Sequence, residues 1–283
     1  MRRWAMLLMA AACARAETAA FRVSSDLVLV NATVRDAAGR PVTGLTQDRF
    51  QLFEGRRSQR IAFFTEEETP VSLMLVADVS RSMRGKLDVC ARAAADLVRT
   101  VLPGDEFALV TFAGRPRLEV AWTEVGAVVT AALSRAQAAG TTAMFDALLL
   151  GAQYVRHARN ARRVVLVVSD GGDNHSRYGR REARRRLEES GLELYGVGLE
   201  ESPLLEDLCE HAAGRYVTVD DTSKLPDAIS RISREIRSRY VLGYRPARLD
   251  GAGRFHRVEV QVAVPHGFER VSVSWRQRWR EPE

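Results

Sequence analysis

Asp78-Val79-Ser80-Arg81-Ser82 places one carboxylate and two hydroxyls at alternate positions. Grouped this tightly, hard oxygen donors suit Mg²⁺ or Mn²⁺, whereas zinc favours His and Cys. Two later segments offer donors of the same kind. Gly140-Thr141-Thr142 precedes the helix-like Ala143 to Leu148, and Ser169-Asp170-Gly171-Gly172 follows the apolar run Val164 to Val168. The five histidines are scattered and have no zinc-ligand spacing. The chain contains no Gly-x-Ser-x-Gly nucleophile elbow.

Elements must bring these segments together. Val71 to Ala77 is an apolar run bounded by polar residues, the pattern of a strand buried on both faces. Further strands are expected at Glu106 to Phe112, Leu118 to Trp122, Arg163 to Ser169, Leu192 to Val197 and Arg215 to Val219. Helical periods run over Lys86–Val101, Ala127–Ala138, Met144–Ala158, Arg180–Ser190, Pro203–Ala213 and Leu225–Ser238. Such alternation predicts an α/β fold, a doubly wound and mostly parallel sheet covered on both faces. Asp78, Thr142 and Asp170 then meet at the C-terminal edge of that sheet, where ligand sites of this class concentrate.

The ends of the chain read differently. Phe21 to Phe64 is β-patterned, with strands at Leu27 to Arg35, Phe50 to Phe53 and Arg60 to Phe64. Glu66-Glu67-Glu68-Thr69-Pro70 reads as a linker. Tyr240 to Tyr244, Arg257 to Val264 and Arg270 to Trp275 return to β. Strands isolated at each end leave exposed edges and a small core. The expectation is therefore a small β-sandwich made from both ends, with the α/β domain inserted. The divisions are 1–16, a signal peptide; 17–69, an N-terminal β domain; 70–239, the α/β domain; and 240–283, strands pairing with 17–69.

The signal reading rests on Met1-Arg2-Arg3, the apolar Trp4 to Ala12 and the small-x-small Ala14-Arg15-Ala16. This apolar stretch is too short for a membrane span, and no later segment is long enough. A rival reading makes Cys13 a lipid-attachment site. The expected location is periplasmic or secreted. Cleavage after Ala16 removes three arginines and no acid, so the formal charge falls from +6 to +3, too little for a global case for nucleic-acid binding. Cys90 and Cys209 fall on apolar helix faces and read as two buried thiols rather than a disulfide.

Asp78-x-Ser80-x-Ser82, Gly140-Thr141-Thr142 and Asp170-Gly171, in that order, resemble the metal-ion-dependent adhesion site of von Willebrand factor type A domains. The resemblance spans roughly Pro70 to Ser238. It implies a metal held by Asp78, Ser80, Ser82, Thr142 and Asp170, with Thr142 preferred to Thr141 because it stands two residues after Gly140. Val34 to Leu45, Phe50 to Gly55 and Tyr240-Val241-Leu242-Gly243-Tyr244 resemble an exported bacterial subfamily of these proteins, which has no defined reaction.

Mostly neutral hydroxyl ligands leave a bound ion with residual positive charge, and an Asp or Glu side chain of a partner then completes its shell. The resemblance thus implies a non-enzymatic, adhesion-type module that recruits a protein or acidic ligand through Mg²⁺ or Mn²⁺, with no nucleic acid. One alternative is a structural envelope protein with an incidental or empty metal site. Another is a metal-dependent hydrolase or phosphotransferase. Against the latter, an aspartyl phosphotransferase carries a second carboxylate two residues after its nucleophile, and here that residue is Ser80.

Three other features have competing readings. His175, among Asp173, Asn174 and Ser176, reads as a solvated loop residue rather than a ligand or base. The run Arg177 to Arg186 is either a solvated helix face or a basic rim steering acidic partners. Trp275 and Trp279, among Arg276, Arg278 and Arg280, read as a strand end or as a surface contact.

Overall fold

The computed structural model describes residues 27–66, 69–100, 102–170, 172–246, 255–264, 266–275 and 278–280. The expected signal peptide, with Cys13, lies outside the described residues. Strands β1 (Val28–Asp36), β2 (Phe50–Glu54), β3 (Arg57–Gln59) and β4 (Ile61–Glu66) come first. The alternating region follows: β5 (Ser72–Asp78), α1 (Leu87–Arg99), β6 (Glu106–Phe112), β7 (Pro116–Thr123), α2 (Gly126–Ser134), α3 (Met144–Tyr154), β8 (Arg163–Ser169), α4 (Arg180–Ser190), β9 (Glu193–Gly198), α5 (Pro203–His211), β10 (Tyr216–Thr218) and α6 (Leu225–Arg237). Strands β11 (Tyr240–Tyr244), β12 (Phe255–Val262), β13 (Val271–Trp275) and β14 (Arg278–Arg280) close the chain.

Six strands form the central sheet in the order β10-β9-β8-β5-β6-β7, parallel except for β7, which turns back antiparallel on β6. Every residue of β5 is buried, as a central strand covered on both faces requires. One face packs against α1, α2 and α6 through residues such as Leu75, Cys90 and Ile232. The other packs against α3, α4 and α5 through Met74, Leu148 and Cys209. Gly151 lets α3 lie close on β5, since a Cβ there would stand 3.3 Å from the Met74 sulfur. Cys90 and Cys209 therefore sit on opposite faces of the sheet, both free and buried. Burial pushes the Cys90 thiol up to about 12 and that of Cys209 well above its ordinary range.

The remaining strands form two four-stranded sheets, β13-β1-β11-β4 and β14-β12-β2-β3. Both ends of the chain contribute to each: Val30 pairs with Leu242, and Leu52 with Val260, both antiparallel. Val34, Leu52, Tyr240 and Val258 meet in a common core, so the two sheets form the expected β-sandwich flanking the α/β domain. Tyr240 ties the two ends at one point, its hydroxyl accepting from Leu45 N at 3.0 Å and donating to Val42 O at 3.0 Å.

Some element ends depart from expectation. The helix expected to reach Ala138 stops at Ser134, where Arg135 and Ala136 N–H groups bond back to Ala132 and Leu133 and tighten the last turn. The helix expected to reach Ala158 likewise tightens to a 3-10 turn over Val155–His157. Glu66, expected in a linker, ends β4 and accepts from Gly44 N at 2.8 Å.

Candidate metal centre

In the sheet order, strands added after β5 lie on one side as β6 and β7, and the later ones on the other as β8, β9 and β10. The chain therefore reverses direction between β5 and β8, the switch point at which α/β sheets open a crevice beyond their C-terminal edge. Asp78 ends β5 and Asp170 directly follows β8. The oxygens singled out in the sequence stand at this crevice.

Asp78 is fully buried. One of its carboxylate oxygens accepts from Ser80 N at 2.8 Å, and the other accepts from Ser169 Oγ at 2.6 Å. Burial pushes the Asp78 carboxyl up, the bonds from Ser169 and Ser80 draw it back, and the nearby Asp170 charge adds to the rise. The Ser80 and Ser82 hydroxyls lie 3.0 Å apart, and Ser82 Oγ donates to Asp170 Oδ1 at 2.7 Å. Asp170 is 3% exposed, and its second oxygen holds the Lys86 ammonium. Ser80 is buried and Ser82 exposed, so the row runs from the interior to an open mouth. Exposed Arg81 and Arg84 flank Ser82 on the same loop.

Thr142 reaches the site through its loop. Gly140, at φ +84°, supplies the left-handed turn that an L side chain rarely adopts. Its carbonyl accepts from Arg81 N at 3.2 Å, and Ala139 N donates to Val79 O at 2.9 Å, which fastens the Thr142 loop to the Asp78–Ser82 loop. On the other side Thr142 N donates to Asn174 Oδ1 at 2.9 Å, while the Thr142 carbonyl accepts from Asn174 N at 3.0 Å and His175 N at 3.1 Å. Thr142 is buried and Thr141 exposed. The structure thus brings all three segments to one place and links Ser80, Ser82 and Asp170 side chain to side chain.

Two participants escaped the sequence reading. Ser169 orients Asp78, and its only sequence signal was a hydroxyl at the end of β8. Lys86, one of two lysines in the chain, immediately precedes α1 and places a cation on Asp170. Asp173, Asn174 and Ser176 shape the wall. Asp173 Oδ1 accepts from Phe145 N at 3.2 Å, and Ser176 Oγ accepts from Asp146 N at 3.1 Å. His175 is exposed and contributes its backbone.

The basic run is largely spent on local acids. Arg177 Nε donates to the buried Asp146 at 2.8 Å, and Arg180 pairs with Asp207 at 2.9 Å. Arg185 and Arg186 pair with Glu182 at 2.7 and 2.9 Å. These are mainly exposed pairs of the kind that lace a solvated helix. At the other end of the chain, Trp275 Nε1 donates to Val258 O at 2.8 Å, which ties β13 to β12. The Trp279 side chain lies outside the described residues.

Chemically, the cluster is an oxygen-only donor set with two carboxylates and several hydroxyls. Among the described residues no group of three or more His, Cys, Asp or Glu is placed to hold a metal. The donor set suits a hard divalent cation, and the Lys86 ammonium already stands as a cation against Asp170. Residues 73–172, which span all five residues from Asp78 to Asp170, match the von Willebrand factor type A domain family.

The chain carries a von Willebrand factor type A domain.

Solved structures agree with this fold. The von Willebrand factor type A protein from Catenulispora acidiphila is 14% identical, with a TM-score of 0.52 over 90% of this chain and 72% of that one. Proximal thread matrix protein 1 from the mussel byssus is 18% identical, with a TM-score of 0.54 over 65% of this chain and 51% of its own. A second structure of the mussel protein, described as having a zinc-occupied MIDAS motif, is 17% identical with the same TM-score and covers 65% of this chain and 49% of its own. The chain spans about half the length of the mussel protein. At such identities the likeness is one of fold. No curated protein matches the chain.

Proposed function

We propose that the crevice is a divalent-cation site in which Asp78, Ser80, Ser82, Thr142 and Asp170 hold Mg²⁺ or Mn²⁺, directly or through water. The observation that carries this reading is the row Ser80, Ser82, Asp170, closed by the Lys86 ammonium. These oxygens are aligned on one another and on a cation at the switch point of the sheet. Asp78 keeps lone pairs beyond the two it gives to Ser80 and Ser169, which suits a carboxylate that binds through water.

A bound ion with mostly neutral ligands supplies residual positive charge at the mouth. Ser82, exposed there, leaves room for an incoming group, and Arg81 and Arg84 add positive charge around it. A partner's Asp or Glu side chain is the complement to that surface. The protein then acts as a non-enzymatic, adhesion-type binding module. With the basic, apolar start of the sequence, the reading is of a protein exported to the periplasm or beyond, with 70–239 as the binding domain carried on a sandwich of 17–69 and 240–283. That the mussel protein's site is described as holding zinc supports a divalent ion in this family while leaving the choice of ion to the donors, which here are all oxygen.

Titration calorimetry with MgCl₂ and MnCl₂ on chelator-treated protein tests the site. Saturable binding is expected, together with a rise in Tm that chelator reverses. Absence of both at millimolar metal overturns the reading. A pull-down from envelope extract, with and without chelator, then tests whether capture of a partner depends on the ion.

A further inference from the structure

The opposite edge of the same sheet carries a second charge cluster. Arg162 and Arg163 stand at the start of β8, Glu193 starts β9, and Arg239 lies between α6 and β11. A cavity of about 140 Å³ separates this N-terminal edge from the sandwich, with Thr33 of β1 and Ser274 of β13 on the far wall. About 10–15 Å³ suffices for one water, so a small polyatomic ion fits.

The charge count does not balance. Of the residues lining this cavity, three are arginines and Glu193 is the sole acid. Glu193 accepts from Arg162 at 3.1 and 3.3 Å and pairs with Arg239 at 2.8 Å. The neighbouring carboxylates have other partners, Glu106 accepting from Ser72 Oγ at 2.6 Å and Arg159 N at 2.5 Å. Asp105 holds Arg237 at 2.5 Å, and Glu235 is shared by Arg35 and, at 3.5 Å, Arg215. Arg162 and Arg239 are only 8% and 4% exposed. Burial pushes the Arg239 guanidinium down, against the pull of Glu193 and with the push of Arg162, to about 10. It is still charged at neutral pH.

The lining thus carries two more positive charges than negative ones; Arg162, which also donates to the Ile236 carbonyl, and Arg239 hold theirs where an unpaired charge is costly, and Arg163 is half-buried. Arg163 Nε and Ser274 Oγ are also buried without a hydrogen-bond partner among the described residues. Water satisfies donors but brings no charge, whereas an oxyanion does both and accepts from several guanidinium N–H groups at once. We propose that this cavity binds a small oxyanion of phosphate or sulfate size on Arg162, Arg163 and Arg239, bracing the α/β domain against the sandwich.

Inorganic phosphate is the probe. It is titrated into the chelator-treated full chain at constant ionic strength held with NaCl, with Tm and calorimetric heat as readouts. A saturable rise in Tm and a saturable heat are expected in the wild type and in Ser82→Ala, because the crevice at the other edge is not involved. In Arg239→Met the apparent Kd weakens at least tenfold, leaving only the gradual rise that excluded salts give any folded protein. Identical responses in wild type and Arg239→Met overturn the proposal, as does a wild type with no saturable heat. If Arg239→Met does not fold by circular dichroism, Arg163→Gln, at a less buried residue, carries the same comparison.

Discussion

At the C-terminal edge of the central sheet, Asp78, Asp170 and the hydroxyls of Ser80 and Ser82 face a single ammonium, Lys86. At the N-terminal edge, Arg162, Arg163 and Arg239 face a single carboxylate, Glu193. One edge gathers oxygens and opens to solvent. The other holds a cavity lined by more guanidiniums than carboxylates and is walled by the sandwich. Strand β8 shows the difference along its own length, since it begins beside Arg162 and Arg163 and ends at Ser169 and Asp170. A parallel sheet gathers all its strand starts on one side and all its ends on the other. Two side-chain clusters of opposite character thereby fit into one domain without meeting.

The comparison fails first if Glu193 is dispensable. Glu193→Ala leaves Arg162 and Arg239 buried with no carboxylate between them, and a loss of about 3–5 kcal/mol is expected by urea unfolding. A loss under about 1 kcal/mol, as at a surface pair, means that water reaches this edge freely. At the open edge, Ser82→Ala should weaken Mg²⁺ binding by about tenfold, or 1.4 kcal/mol, beyond whatever stability is lost in chelator with its bond to Asp170. Unchanged Mg²⁺ affinity in titration calorimetry removes Ser82 from the ligand set.

Lys86→Met sharpens the picture further. If the ammonium competes with the metal for Asp170, its loss tightens Mg²⁺ binding by roughly fivefold, about the 1 kcal/mol of two charges 4 Å apart in a water-like medium. Weaker binding in that variant identifies Lys86 as a support that orients Asp170. The smallest effect belongs to neither edge. Arg185→Ala, on the exposed and self-paired face of α4, should change unfolding free energy by no more than about 0.5 kcal/mol and leave Mg²⁺ affinity alone.

The two edges also differ in how far they can be read from sequence. Asp78, Ser80 and Ser82 lie within five residues, and Asp170 follows an unbroken apolar strand, so their places are legible, while their grouping as one ligand set came from the resemblance to von Willebrand factor type A domains. The β5 and β8 runs are legible for the same reason: a strand buried on both faces has no polar position to confuse its period. Arg162, Glu193 and Arg239 belong to no local pattern and become neighbours only once β8, β9 and α6 are packed. Lys86 was similarly invisible as a partner of Asp170, since the pair joins residues 84 positions apart. Strand β3, Arg57–Gln59, contains no apolar residue and no buried one, so its pairing with β2 left no hydrophobic trace. The sandwich was legible through a negative argument, that strands stranded at both ends need each other. Its assignment of Leu52 opposite Val260 was not.

Tyr240 and Leu45, joined by one hydrogen bond, are 195 residues apart in the chain. This separation dictates an order of events during synthesis. Strands β1 and β2 emerge with their partners β11 and β12 still about 200 residues from being made, a wait of roughly 10–40 s at ordinary translation rates. The α/β domain fills that separation, and its last helix, α6, ends three residues before β11 begins. Once folded it replaces a long floppy loop with a rigid spacer, holding the two ends of the chain near each other and sparing much of the entropy of closing so large a ring. The sandwich cannot close before β12 is made, and the domain inserted in it then sets how far apart its two halves lie.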